Sequence, residues 1–250
     1  MTAPILTVAA VTHRYRPHGP PALSDIGVSV ERGTALGIVG ESGSGKTTLG
    51  RILVGAISPS AGSACVLGTE WSRVARTDSR RRGVQMIFQD PYGSLNPYLT
   101  ARQAVAEAAR LVVASRRAAD ARAVDLLAEV GLSGETISRR PGALSGGQRQ
   151  RVGIARALAV GPIALIADEP TSSLDVSVQA QIINLIADLR ARHDLTLVLI
   201  SHDLSVVRQL TETVIVMHNG VIVERGPTEL TLSTPTQPYT RELVAADLPW

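Results

Sequence analysis

The sequence predicts an α/β fold around a mostly parallel sheet, and three observations predict it. Short apolar runs of strand length recur at residues 35–39, 84–88, 163–167 and 196–200. Amphipathic stretches lie between many of them; from 178 to 190, Ile182, Ile183, Ile186 and Leu189 keep helical spacing. Strands covered by helices on both faces read as near-continuous apolar runs, which is the pattern here. The third observation is a glycine-rich segment between the run 35–39 and a helical stretch at 48–54.

Composition agrees with a buried core. The chain has 250 residues, 44% hydrophobic and 19% charged, which excludes disorder as its main state. A single domain over 1–250 is expected. The lone cysteine, Cys65, excludes an internal disulfide framework, a cysteine-cluster zinc site and a cysteine-held iron–sulfur cluster, and it fits a reducing, cytoplasmic setting. No run approaches the ~20 apolar residues of a membrane span, and the start of the chain does not read as a signal peptide. The net charge is +3, and the basic residues are almost all arginine, in scattered short groups. With two Trp, four Tyr and one Phe, none interleaved with those groups, a base-stacking platform is not predicted. The arginines read as a solvated surface, and no nucleic-acid partner is expected.

The glycine-rich segment is Gly40, Glu41, Ser42, Gly43, Ser44, Gly45, Lys46, Thr47, then Thr48, and fits G-x-x-x-x-G-K-[ST] between strand and helix. Its glycines let the backbone curl so that amides point at phosphate oxygens, assisted by the helix dipole. Lys46, the only lysine, supplies a compact charge to the β- and γ-phosphates where the planar fork of arginine would not fit. The Thr47 hydroxyl is a candidate Mg²⁺ ligand. Kinases, GTPases, helicases and ATPases all remain open on this motif alone. The run 163–167 narrows the choice, since it delivers Asp168 and Glu169 at the carboxyl end of a strand, where open α/β sheets bind ligands. Asp168 is placed to serve Mg²⁺, and Glu169 to polarise a hydrolytic water.

Residues 100–160 show no convincing strand, and 102–130 is rich in Ala, Leu, Arg and Glu, which predicts a helical insertion. Residues 214–217 and 221–224 flank Asn219-Gly220 and predict a hairpin. Residues 231–250 hold Pro235, Pro238 and Pro249 and predict an irregular tail.

Leu144-Ser145-Gly146-Gly147-Gln148, followed by Arg149-Gln150-Arg151, resembles the signature motif of ABC (ATP-binding cassette) ATPases. In physical terms it is a helix start with Ser145 as the cap. Gln89 resembles the family's Q-loop glutamine, a catalytic and Mg²⁺-contacting position. His202 resembles the switch histidine, and Ser172-Ser173-Leu174-Asp175 the D-loop, with Ser173 where alanine is common. Tyr15 resembles the aromatic that stacks on adenine. The resemblance covers nearly the whole chain. It implies a P-loop NTPase with a RecA-like core (1–89 and 161–230), an N-terminal antiparallel β subdomain, a helical signature subdomain (90–160) and a tail (231–250). It also implies ATP and Mg²⁺ as cofactors, and two cassettes closing head to tail so that Ser145 and Gly147 of one face the phosphate loop of the other.

Residues 88–97 and 175–181, with the tail Pro238-Tyr239-Thr240-Arg241-Glu242-Leu243, resemble the peptide/nickel importer branch, which takes up peptides, nickel or metal chelates. That branch implies two membrane permease subunits, a second ATPase subunit (itself or a paralogue), an extracytoplasmic binding protein acting indirectly, and a peripheral place on the cytoplasmic membrane face. The alternatives are a soluble ABC ATPase acting on DNA or ribosomes, for which no coiled-coil insertion or second cassette is present, and an exporter subunit.

Overall fold

The computed structural model describes residues 3–247. Its elements run β1 (Leu6–His13), β2 (Leu23–Val30), β3 (Ala35–Val39), α1 (Lys46–Leu53), β4 (Ala61–Val66), β5 (Thr69–Glu70), α2 (Ser79–Gly83), β6 (Val84–Ile87) and α3 (Pro91–Ser94). They continue as α4 (Ala101–Ala109), α5 (Arg116–Glu129), α6 (Gly146–Leu158), β7 (Ala164–Asp168), α7 (Val176–His193), β8 (Thr196–Ile200), α8 (Leu204–Leu210), β9 (Thr213–His218), β10 (Val221–Pro227), α9 (Thr228–Ser233) and α10 (Pro238–Asp247). Two compact units result, one from residues 1–81 with 194–250, the other from 82–193. No helix among the described residues is long and apolar enough to cross a membrane.

In the first unit β3 lies between β8 and β9, parallel to both. Every residue of β3 and β8 is buried, which is why both read as unbroken apolar runs. The edge is closed by β10, antiparallel to β9 through the Asn219-Gly220 turn, where both residues take positive φ (48° and 79°) as a tight two-residue hairpin requires. The Gly220 amide donates to the Ser44 carbonyl at 3.1 Å, and its own carbonyl accepts from the Ser24 amide at 2.8 Å. A second sheet of this unit has the order β2-β1-β4-β5, all antiparallel. β1 buries Leu6, Val8 and Val11 and leaves Ala9 and Ala10 exposed.

The tail differs from expectation. Residues 228–233 and 238–247 are helices rather than irregular chain, while 248–250, including Pro249, lie outside the described residues. Pro238 occupies the first position of α10, where a missing N–H and a fixed φ are compatible with a helix. The Glu224 carboxylate on β10 accepts from the Thr236 amide (2.8 Å), the Thr236 hydroxyl (2.7 Å) and the Gln237 amide (3.2 Å), orienting the chain just before that helix. Burial raises the Glu224 pKa, but the Thr236 and Gln237 hydrogen bonds help outweigh this and leave it below the ordinary value.

In the second unit β6 and β7 pair in parallel. The expected helical run 102–130 is two helices, because Thr100 and Ser115 each cap a separate start; Thr100 forms a reciprocal capping box with Gln103. Arg116, Arg117, Arg139 and Arg140 are exposed, as a solvated arginine surface predicts, but four other arginines of this unit depart from that expectation. Arg122 donates to the Ala159 carbonyl (2.7 Å), Arg151 to Val130 (2.7 Å), Arg149 to Pro141 (2.7 Å) and Arg156 to Ser94. These half-buried guanidiniums satisfy carbonyls at turns and helix ends, a use of arginine that residue counting cannot reveal. Burial lowers the Arg156 pKa, with Glu107 partly offsetting it.

Candidate functional site

The first unit carries the phosphate loop. At Gly40 (φ 143°) a Cβ would overlap the Met217 carbonyl and come within 2.9 Å of Ser44 Oγ. At Gly45 (φ 102°) it would stand 2.6 Å from the Ala22 carbonyl. Only glycine meets both the conformation and the clearance. The Ser44 amide donates to the Glu41 carbonyl at 3.2 Å, closing the curl, and Glu41, Ser42 and Gly43 are exposed along its outer edge. Lys46 is 5% exposed, and its Nζ donates to the carbonyls of Gly40 (2.6 Å) and Glu41 (2.8 Å).

The start of α1 has no side-chain cap, unlike α3, α4, α5, α6 and α8. The first-turn amides, the positive helix end and a buried ammonium together form an anion cradle. Ser44 Oγ is buried with no hydrogen-bond partner in the same loop, which fits a site that gains partners from a ligand. Thr47 is half-buried on the first turn of α1. Tyr15, 60% exposed, has its hydroxyl 3.0 Å from Thr48 Oγ1 and its ring edge-on to His13, with 4.8 Å between centroids. His202 is exposed just after β8, ahead of Asp203, whose carboxylate accepts from the Ser205 (2.9 Å) and Val206 (3.2 Å) amides.

The second unit carries the carboxylates and the signature. Asp168, 3% exposed, ends the fully buried β7. Glu169 follows at φ 44°, a left-handed conformation that costs a non-glycine residue about 1 kcal/mol or more. The Gln89 amide, exposed beyond β6, donates to Glu169 Oε2 at 3.1 Å. Neither the positive φ nor this hydrogen bond has a signal in the sequence. Asp175 accepts from the Ser177 hydroxyl (2.8 Å) and the Val178 amide (3.0 Å), and these bonds lower its pKa. Ser145 caps α6 with Gln148 in a reciprocal capping box: Ser145 Oγ accepts from the Gln148 amide (3.3 Å), and Gln148 Oε1 from the Ser145 amide (3.0 Å). A Cβ on Gly146 would meet Leu174 at 3.1 Å and one on Gly147 would meet Val178 at 2.5 Å, so both glycines let the α6 start approach that segment closely.

A strand-loop-helix phosphate cradle, with a buried acid and a strained glutamate after a second parallel strand, defines a P-loop nucleotide-binding cassette. The family model for ABC transporters matches residues 23–172, and the chain belongs to that family. It is 49% identical over 90% of its length to a probable peptide ABC transporter ATP-binding protein of Sinorhizobium fredii, spanning 65% of that relative's length. It is 45% identical over 89% of its length to a probable D,D-dipeptide transport ATP-binding protein of Escherichia coli, covering 69% of it. Among solved structures it resembles a dimeric ATP-binding cassette in a post-hydrolysis state bound to ADP and phosphate, with TM-score 0.81, 28% identity, and coverage of 89% of this chain and 98% of that one.

Proposed function

We propose that this chain is the ATP-binding and ATP-hydrolysing subunit that energises an importer for peptides, acting as a peripheral protein on the cytoplasmic face of the membrane. The observation that carries the reading is the buried Lys46 in an uncapped glycine loop, on a chain 49% identical to a peptide transporter ATP-binding protein. The residues have separate tasks. Lys46 and the amides of 42–47 hold the β- and γ-phosphates, and Tyr15 offers an exposed ring to adenine. The hydroxyl of Thr47, the carboxylate of Asp168 and the Gln89 amide are hard oxygen donors that suit Mg²⁺, which when bound neutralises charge on the phosphates. Glu169 orients and polarises the attacking water, with the Gln89 hydrogen bond holding one carboxylate oxygen, and His202 contacts the γ-phosphate.

Two cassettes act together, this one with a copy of itself or a paralogue, and the Ser145–Gln148 segment of one serves the phosphate loop of the other. The signature in this chain is suited to that use, since its cap leaves the Ser145 turn preformed and exposed. Two membrane permease subunits bind the pair, and an extracytoplasmic binding protein delivers the peptide.

The test is reconstitution with two permease subunits and a binding protein in vesicles. Mg-ATP inside is expected to drive peptide uptake, and Lys46→Ala to abolish it. ATPase activity with no association to the permeases would overturn the importer reading. For the composite site, Lys46→Ala and Ser145→Arg are each expected to be inactive, and mixed dimers to regain activity at their one intact site.

A further inference from the structure

The Pro238-Tyr239-Thr240 segment lies at the start of α10, and its tyrosine reaches the phosphate loop. The Glu41 amide donates to Tyr239 Oη at 3.0 Å, across 198 residues of sequence. The Tyr239 ring lies on the His218 imidazole at the end of β9, centroids 3.9 Å apart and planes 39° apart. The Asn219 amide is 2.9 Å from His218 Nε2. The ring therefore has a fixed seat from which the hydroxyl is aimed.

The amide that Tyr239 holds belongs to the peptide joining Gly40 and Glu41. The carbonyl of that same peptide accepts the Lys46 ammonium at 2.6 Å. A peptide unit is planar, so fixing the direction of its N–H fixes the direction of its C=O. Gly40 gives little resistance to rotation of this plane, being free of a Cβ and already at φ 143°. Within the loop Lys46 holds the carbonyl side of this peptide and, with the Ser44 amide, the Glu41 carbonyl, and Tyr239 adds a contact on the N–H side from outside the loop.

We infer that Tyr239 is a positioning residue for Lys46: through the Gly40–Glu41 peptide its hydroxyl sets where the sole lysine rests before nucleotide arrives. Glu224 completes the device by accepting from Thr236 and Gln237 just before α10, which places Tyr239 over the loop. The C-terminal helix is thus part of the ground-state setting of the phosphate site. This inference rests on the phosphate-binding reading of the loop proposed above.

Tyr239→Phe keeps the ring on His218 and removes only the hydroxyl. In nucleotide-free protein, Lys46 acetylation, followed by mass spectrometry as a function of pH, is expected to quicken about three- to tenfold, since loss of one hydrogen bond shifts the loop population by roughly that factor. In turnover, KM for ATP should rise about three- to fivefold with kcat changed less than twofold, the split expected when ground-state binding is weakened. A lowered Tm with Lys46 acetylation and KM both unchanged would overturn the inference and leave Tyr239 as a tether for the helix. If Tyr239→Phe does not fold, Glu224→Gln reads the same link, with an expected rise in acetylation of about twofold; no rise overturns it. Lys46→Ala separates the two levels. Wild-type nucleotide binding by Lys46→Ala would overturn the phosphate reading itself, whereas abolished binding there beside a silent Tyr239→Phe would overturn only the positioning role.

Discussion

Two helices of this molecule begin with glycine-rich turns, α1 after residues 40–45 and α6 after Ser145, and they use glycine for opposite ends. Before α1, Gly40, Gly43 and Gly45 all have positive φ, and no side chain caps the helix. At α6, Gly146 and Gly147 sit in the helix itself, and the start is closed reciprocally by Ser145 and Gln148. The first turn buries an ammonium and has no side-chain cap; the second is capped within its own chain, with Ser145 exposed. One start is built to be completed by an anion, the other to present a rigid face. A glycine count cannot separate these designs, but the cap chemistry does.

The largest test of the contrast is chemical. Lys46→Ala should weaken ATP binding by about 100-fold, the scale expected when a charge-assisted hydrogen bond to phosphate is removed. Glu169→Gln should retain ATP within about threefold while turnover falls about 10²- to 10³-fold. Equilibrium binding beside steady-state hydrolysis separates the two, and equal loss of affinity in both would break the division of roles.

Next come the glycines. Gly40→Ala drives a Cβ into the Met217 carbonyl at positive φ, and about 2–4 kcal/mol of destabilisation is expected, with nucleotide binding abolished. Gly147→Ala meets only a methyl of Val178, and about 1 kcal/mol is expected, with ATP binding by the isolated chain intact. Chemical denaturation with a nucleotide-binding assay orders the pair; the reverse order would break the contrast drawn between the two turns.

A smaller effect follows from the α6 cap. Ser145→Ala should cost about 1 kcal/mol, read as a fall in Tm of about 2–4 °C. The same reasoning predicts no comparable cap to remove at α1.

The smallest effect uses a third helix start, that of α10, where the group accepting from the preceding backbone is ionisable. The folded pKa of Glu224 is depressed, so its contribution is present above the unfolded value and disappears as pH falls through the folded one. Hydrogen exchange between about pH 5 and pH 3 should show α10 loosening while α6, held by neutral groups, keeps its protection. Parallel loosening of both helices would place the acid effect elsewhere.

The phosphate cradle and the buried strands are legible in the sequence because their signals are local: a motif eight residues long and runs of Val, Ile and Leu. The parallel pairing of β3 on both sides, and the antiparallel N-terminal sheet, agree with what the family resemblance implies. The tail departs from its sequence expectation because proline ordinarily breaks a helix, whereas Pro238 starts one whose approach is fixed by Glu224. The hydrogen bond between Glu41 and Tyr239 and the strain at Glu169 are illegible for different reasons. The first joins residues far apart in the chain, and the second is a backbone angle that glutamate does not advertise.

The Gly220 turn also fixes when the site can exist. Its amide holds the Ser44 carbonyl, its neighbour strand brings the Met217 carbonyl over Gly40, and both parallel partners of β3 come from residues 196–218. During synthesis the glycine loop and the Ala22 carbonyl beside Gly45 leave the ribosome early, yet the Met217 and Gly220 contacts that shape the loop emerge near the end. Joining segments of such long sequence separation is slow and yields little until the last one arrives. The loop therefore gains its full set of contacts only after the hairpin has been translated.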